Sequence, residues 1–273
     1  MEKLDRLVWA AGFAFSAYGV RFGIRVNDLS ILSRLKDYLP PGNKPSVSSI
    51  VDDLYSLIVG GSGLNSRIRR FNMLYRGAGR LARTLDLDEL LDVFESDLHF
   101  VVASTAKDRL FVHAGVVAWN KRAIVIPGRS LSGKTSLVQA LARAGATYYS
   151  DEYAVLDSRG RVHPYPKPLS IRQEADARPK RCPIELLGGH SGTEPLPIGL
   201  IVVTQYQPGA QWRPRVLSAG QATLALLDNT VLARFQTQLA LSIFQRTTPK
   251  VLTLKSKRGE AQSIASTLLS YMG

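Results

Sequence analysis

Cysteine is nearly absent: Cys182 is the only one in 273 residues. It has no partner for an internal disulfide, which excludes a disulfide-stapled secreted scaffold. Long apolar runs are also missing. The longest, Leu7 to Val20, is interrupted by Gly12, Ser16 and Gly19. As a helix it would reach roughly 21 Å, short of the ~30 Å hydrocarbon core of a bilayer. No membrane span is expected, and the run reads as a buried first element. Glu2 and Asp5 offset Lys3 and Arg6, and no small-x-small cleavage site follows, so the expected location is cytoplasmic. There is no internal repeat and no low-complexity tract. The 22 glycines have no three-residue period, which excludes collagen.

Acidic residues are in deficit. There are 22 Asp+Glu against 35 Lys+Arg, a net charge of +13. With 45% apolar and 21% charged residues, the chain is an ordinary globular one rather than a disordered one. The densest basic group is Arg67, Arg69, Arg70, Arg76, Arg80 and Arg83, broken by Phe71, Met73, Leu74 and Tyr75. No helix-turn-helix, zinc finger or RNA-binding motif accompanies it, so no nucleic-acid partner is expected. A solvated basic face, or attraction to a phosphorylated ligand or acidic substrate, fits better.

Two breaks punctuate the first hundred residues: Leu39 to Pro45, rich in proline and glycine, and Gly60 to Gly63. Tyr18 to Val26 alternates as a strand, and Leu29 to Leu39 reads as a helix capped by Asp28. Leu87, Leu90, Leu91, Phe94 and Leu98 share one face of a helix over 86–102, with Asp86 and Glu89 resembling a capping box. Its acidic residues read as a solvated face rather than a catalytic pair. The expected organisation is a smaller N-terminal α/β region over 1–105 and a second domain over 106–273.

In that second part, Leu110 to Trp119 and Arg122 to Ile126 read as a hairpin turned at Asn120-Lys121. Then comes Gly128-Arg129-Ser130-Leu131-Ser132-Gly133-Lys134-Thr135, which fits the P-loop pattern G-x-x-x-x-G-K-[ST]. The two glycines permit backbone geometry that a side chain would block. The loop N–H groups then converge on phosphate oxygens at the positive end of the next helix. Lys134 can reach the β- and γ-phosphates of a nucleotide, and Thr135 can place its hydroxyl on Mg²⁺. A strand before the loop (Ala123 to Ile126) and a helix after it (Ser136 to Arg143, ended by Ala144-Gly145) give the required context.

Asp151-Glu152 follows the P-loop lysine by 17 residues, between Thr147-Tyr148-Tyr149 and Tyr153 to Leu156. Nucleotide chemistry needs a carboxylate for the metal and often one for a proton. Neighbours on a strand point to opposite faces, so both reach one site only at a strand end or bulge. His113 lies on the hairpin's first strand, 15 residues before Gly128. His99, His163 and His190 carry no such context, and Cys182, in Arg-Pro-Lys-Arg-Cys-Pro, is not expected to act as a nucleophile.

Phe111-Val112-His113-Ala114-Gly115-Val116, the P-loop, and Tyr149-Ser150-Asp151-Glu152, in this order, resemble the catalytic domain of bacterial HPr kinase/phosphorylase. The similarity is greatest to HPr kinase-related proteins of unassigned substrate, which include lasso-peptide precursor kinases. It covers 110–172 well and the rest of the C-terminal half loosely. The resemblance implies an α/β to α+β fold with a mixed sheet, of the phosphoenolpyruvate carboxykinase type. It also implies transfer of the ATP γ-phosphoryl group to a serine hydroxyl. Lys134 would hold phosphate and Thr135 Mg²⁺; Asp151 would take the hydroxyl proton, Glu152 would help hold the metal, and His113 would sit beside the carboxylates. The chain departs from the family in its Asp-Glu pair, in Leu131 in place of a loop glycine, and in lacking the C-terminal Gly-Arg-Asn segment and the HPr-gripping helix.

Farther on, Pro164 to Arg172 reads as an extended segment whose Arg172 is a candidate substrate or phosphate contact. Ile198 to Thr204 reads as a buried strand, Ser218 to Leu232 and Arg234 to Gln245 as helices, Lys250 to Leu254 as a strand and Ala261 to Tyr271 as a helix. The expected activity is an ATP- and Mg²⁺-dependent kinase of a hydroxyl, on a peptide or protein or else on a small molecule. The alternatives are a nucleotide-binding module without phosphotransfer and a nucleic-acid-associated NTPase. A homo-oligomer is compatible with the sequence.

Overall fold

The computed structural model describes residues 2–60, 71–129, 132–171 and 180–273. Gly61 to Gly63, Arg67, Arg69, Arg70, Ser130, Leu131 and Arg172 lie outside these residues. The chain forms two compact units, Met1–Lys107 and Asp108–Gly273. Both mix helices with a mixed sheet.

The first unit opens with the short helix α1 (Glu2–Asp5) and the hairpin β1 (Ala11–Ala17) and β2 (Val20–Val26). The apolar stretch Leu7 to Val20 is therefore not one element. Tyr18 at φ 50° and Gly19 at φ 82° make the two-residue turn that matches strand twist, and Ala17 pairs with Val20. A 3-10 turn at Leu29–Ile31 leads into α2 (Leu32–Lys36), so the helix expected over 29–39 is shorter and partly 3-10. The Asp28 side chain accepts from the Ser30 N–H, as a cap should. Four strands complete a six-stranded sheet: β3 (Lys44–Ser46), β4 (Asp53–Ile58), β5 (Asn72–Arg76) and β6 (Gly79–Thr84), in the order β3-β1-β2-β4-β5-β6. Helix α3 (Leu87–Thr105) buries Leu90, Leu91, Phe94 and Leu98, and Phe94 meets Tyr55 of β4 edge-on at 5.3 Å. Asp86 caps it by accepting from the N–H groups of Asp88 and Glu89. The expected reciprocal contact from Glu89 is not made, because Glu89 accepts from the Thr84 hydroxyl, whose oxygen accepts the Asp86 N–H.

The second unit has β7 (Leu110–Trp119) and β8 (Arg122–Pro127), turned at Asn120 and Lys121, both with positive φ. Then follow α4 (Lys134–Arg143), β9 (Thr147–Ser150), β10 (Tyr153–Leu156), β11 (Arg161–His163), β12 (Leu169–Ile171) and β13 (Lys180–Cys182). The remainder is β14 (Leu196–Tyr206), β15 (Arg215–Val216), α5 (Ala219–Leu227), α6 (Thr237–Thr247), β16 (Leu252–Arg258) and α7 (Ala261–Ser270). The main sheet runs β11-β10-β7-β8-β14-β16-β15, with β9 also on β7, while β12 and β13 pair separately. Strands β8, β14 and β16 are parallel. One face packs Leu137, Val138 and Leu141 of α4 and Ile264 and Leu268 of α7 over Ile124, Ile126, Leu200, Val202 and Leu254. The other packs Leu226 of α5 and Ile243 and Phe244 of α6 over Val116, Val125 and Ile201. No helix is long and apolar enough to cross a membrane, among the described residues.

The helix expected over 218–232 stops at Leu227. The chain leaves it to extend the sheet: Asn229 O accepts from the His113 N–H and the Val231 N–H donates to Phe111 O.

Candidate functional site

Two breaks in the backbone bring distant side chains to the middle of β7. On one edge, β8 runs antiparallel with Ala114 opposite Pro127, and the Gly128 N–H donates to the His113 carbonyl at 3.1 Å. On the other edge lie β9 and β10, with Val116 opposite Ser150 and Tyr153 opposite His113. The gap between them is Asp151-Glu152, and the Ala114 N–H donates to the Glu152 carbonyl at 3.1 Å. Ser150 makes the bend: its Oγ accepts from the N–H groups of Glu152 (3.1 Å) and Tyr153 (3.0 Å). Released from strand alternation, adjacent carboxylates can serve one site.

Helix α4 starts at Lys134 behind Gly133, whose φ of 86° suits glycine. A Cβ there would also lie 2.6 Å from Arg258 Nη2, and a Cβ on Gly128 would lie 2.7 Å from Ser132 Oγ. Gly115 of β7 lets the helix approach, since a Cβ would fall 2.6 Å from Val138 Cγ2. Lys134 Nζ donates to the carbonyls of Gly128 and Arg129, each at 2.7 Å. Arg129 is exposed. Ser132 Oγ is buried with no hydrogen-bond partner among the described residues.

Helix α4 and the bend meet where Thr135 Oγ1 donates to Asp151 Oδ2 at 3.1 Å. The Tyr148 hydroxyl is 3.1 Å from Asp151 Oδ1 and 2.9 Å from the Lys167 carbonyl. Lys167 Nζ forms an ion pair with Glu152 Oε2. Burial raises the Asp151 carboxyl above its ordinary range, against the pull of Lys167. Burial likewise lowers Lys134, against the two carboxylates. His113 is half-buried, its ring 4.9 Å from that of Tyr153. Burial lowers its pKa against the attraction of Glu152, which favours the neutral ring near pH 7.

The structure thus brings Gly128, Ser132, Gly133, Lys134, Thr135, Asp151, Glu152 and His113 together. Ser130, Leu131 and Arg172 of the expected site lie outside the described residues. The other histidines have local partners: His99 with the Tyr38 carbonyl, His163 with Asp157 and His190 with Thr147. Sequence reasoning missed three residues. Tyr148 lies in an aromatic run that signalled only a strand. Lys167, in the proline-rich segment after β11, gave no sign of folding back onto Glu152. Arg258, at the end of β16, donates to the carbonyls of Gly133 (2.7 Å) and Gly259 (2.8 Å) and is 2% exposed.

Among the described residues, no three His, Cys, Asp or Glu side chains are grouped to hold a metal by themselves. Mg²⁺ needs fewer protein ligands, since one or two oxygen donors with phosphate and water complete its shell. Thr135 and Asp151 make such a pair. The glycine cradle, the orphaned Ser132 hydroxyl and the start of α4 suit an anion. No protein-family model matches the chain, and no curated protein matches it in sequence.

Proposed function

We propose that the Asp108–Gly273 unit is an ATP- and Mg²⁺-dependent phosphotransferase acting on a hydroxyl, with serine of a peptide or protein as the expected acceptor. The observation that carries this reading is the 3.1 Å contact between Thr135 and Asp151, which joins the glycine loop to the acidic bend. The His-bearing strand, glycine loop and acidic bend follow the order of the HPr kinase/phosphorylase catalytic domain, and membership of that fold is part of the proposal.

The loop N–H groups and the N-terminus of α4 bind the phosphates, and Lys134 leaves its two carbonyls for the β- and γ-phosphate oxygens. When bound, Mg²⁺ supplies charge neutralisation of the phosphates. Thr135 and Asp151 would hold it. The resemblance gives the proton to Asp151 and the metal to Glu152; the Thr135 contact favours exchanging these roles. Glu152 then takes the proton as the acceptor oxygen bonds to the γ-phosphorus and the bond to the bridging oxygen of ADP breaks. His113, neutral, borders the carboxylates on β7.

The ion pair between Lys167 and Glu152 favours one second reading, a nucleotide-binding module without transfer, because it engages the candidate base. Calorimetry with ATP, with and without Mg²⁺, on wild type and Lys134→Ala tests the pocket. Metal-dependent binding that the variant loses supports it, and no binding by wild type at millimolar ATP overturns it. Turnover of labelled ATP by wild type, absent in Glu152→Gln that still binds nucleotide, separates transfer from binding alone.

A further inference from the structure

The positive charge is unequally divided between the two units. Met1–Lys107 holds 14 Lys+Arg and 12 Asp+Glu, whereas Asp108–Gly273 holds 21 and 10. Part of the excess lies on the two-stranded edge β15–β16. Lys255 and Lys257, two apart on β16, point to one face, and Arg215 of β15 is directly opposite Lys255. Arg213 lies alongside, its N–H donating to Ser256 Oγ at 3.1 Å. All four are exposed, and none makes an ion pair among the described residues. Like charges facing each other across a ladder destabilise it. Glu260, the nearest acidic residue along the chain, accepts instead from the Tyr206 hydroxyl.

This ribbon continues into the candidate site. Lys257 precedes Arg258, whose side chain leaves the opposite face of β16 and is bonded to Gly133. Tyr206, paired with Arg258, donates its N–H to the Ser132 carbonyl, so the ribbon shares the sheet end that carries the loop. We infer that the β15–β16 ribbon docks an acidic segment of the peptide or protein acceptor beside the glycine loop. The inference rests on the phosphotransferase reading and specifies its substrate: the carboxylates lie several residues along the acceptor from the reacting hydroxyl, since β8 and β14 separate the ribbon from β7. The cations are spaced about 7 Å along a strand and about 5 Å across it, which matches two or three carboxylates of an extended chain. A nucleic acid fits less well. Of the aromatics beside the ribbon, Trp212 packs against the core, and the Tyr206 ring has the Arg258 guanidinium 5.5 Å from its centroid and its hydroxyl bonded to Glu260, a poor platform for successive bases.

The test is fluorescence anisotropy with a labelled ten-residue Glu/Ser peptide, a Lys/Ser peptide and a ten-nucleotide single strand, on the full chain at low and high salt. Wild type binds the Glu/Ser peptide and loses it as salt rises. Lys255→Glu/Lys257→Glu weakens binding about tenfold or more, and Lys255→Ala/Lys257→Ala less. Both double variants keep wild-type ATP affinity and melt no lower than wild type, since each removes the like charge facing Arg215. Lys134→Ala keeps peptide binding, so failure of the nucleotide pocket is distinguishable from failure of the ribbon. No Glu/Ser binding, binding untouched by charge reversal, or tighter binding of the oligonucleotide through the same residues each overturns the proposal.

Discussion

The guanidinium of Arg258 and the carbonyl of Gly133 are 2.7 Å apart, although 125 residues separate them along the chain. Arg258 is 2% exposed, and among the described residues no carboxylate hydrogen-bonds to it and its buried Nε has no partner. A buried arginine keeps its charge, so the field beside the loop is positive before any ligand arrives. Arg258→Met keeps much of the volume and removes the charge. Hydrogen bonds to charged groups contribute about 1.5–3 kcal/mol each, although desolvation of the cation offsets part of this. ATP affinity should therefore fall more sharply than stability, which parallel calorimetry and urea unfolding would show.

Gly133→Ala meets two obstacles at once. A left-handed conformation costs an alanine about 1–2 kcal/mol, and the new Cβ would fall 2.6 Å from Arg258 Nη2. Arg258 has to retreat and lose its carbonyl. Thermal unfolding should show destabilisation, and ATP binding should weaken with it. Gly209, at φ 72° with no atom near the position of a Cβ, is the control: Gly209→Ala pays only the conformational cost.

Asp151 carries a stability cost at neutral pH. Burial raises its folded-state pKa above the ordinary carboxylate value of 3.8. Between the unfolded and folded values the native state binds more protons, so its contribution to stability falls as pH rises through that window. Asp151→Asn should therefore melt at a higher temperature than wild type at pH 7, and the gap should close as pH falls below the unfolded value. The same variant should lose Mg²⁺-dependent binding. A variant less stable than wild type at pH 7 would sink the argument.

Asp157 behaves oppositely. Burial pushes its carboxyl up, but this is outweighed by hydrogen bonds from Arg161, His163 and Arg159, which hold the pKa down at about 2. Its stabilisation is complete above pH 3.8 and is lost as pH falls toward 2. Asp157→Asn should lower stability at pH 7 by about 1.5–3 kcal/mol. The deficit should shrink below pH 4 in acid-unfolding curves.

Where the fold was legible in the sequence, the signal was local. The Asn120-Lys121 turn, the apolar face of α3 and the strand-loop-helix around Gly128 to Thr135 are each set by neighbouring residues. The first hairpin was not legible, because alanine, serine and glycine blur the alternation of β1 and Tyr18-Gly19 is a weak turn signal. The length of α5 was not legible either. Its end is decided by pairing of 229–231 with β7, which a helical periodicity cannot anticipate. The same limit applies at the site. Glycines, lysine and acidic pair follow a spacing, whereas Lys167 and Arg258 reach it only through the path of the backbone.

The Tyr148 hydroxyl has one hydrogen and two acceptors, Asp151 and the Lys167 carbonyl. It serves one at a time. An ionised, bare carboxylate claims the hydrogen; a carboxylate whose charge is neutralised yields it to the peptide group. That peptide group belongs to the residue whose ammonium holds Glu152. The electrical state of one acid is thereby communicated, through a single rotating O–H bond, to the backbone that restrains the other.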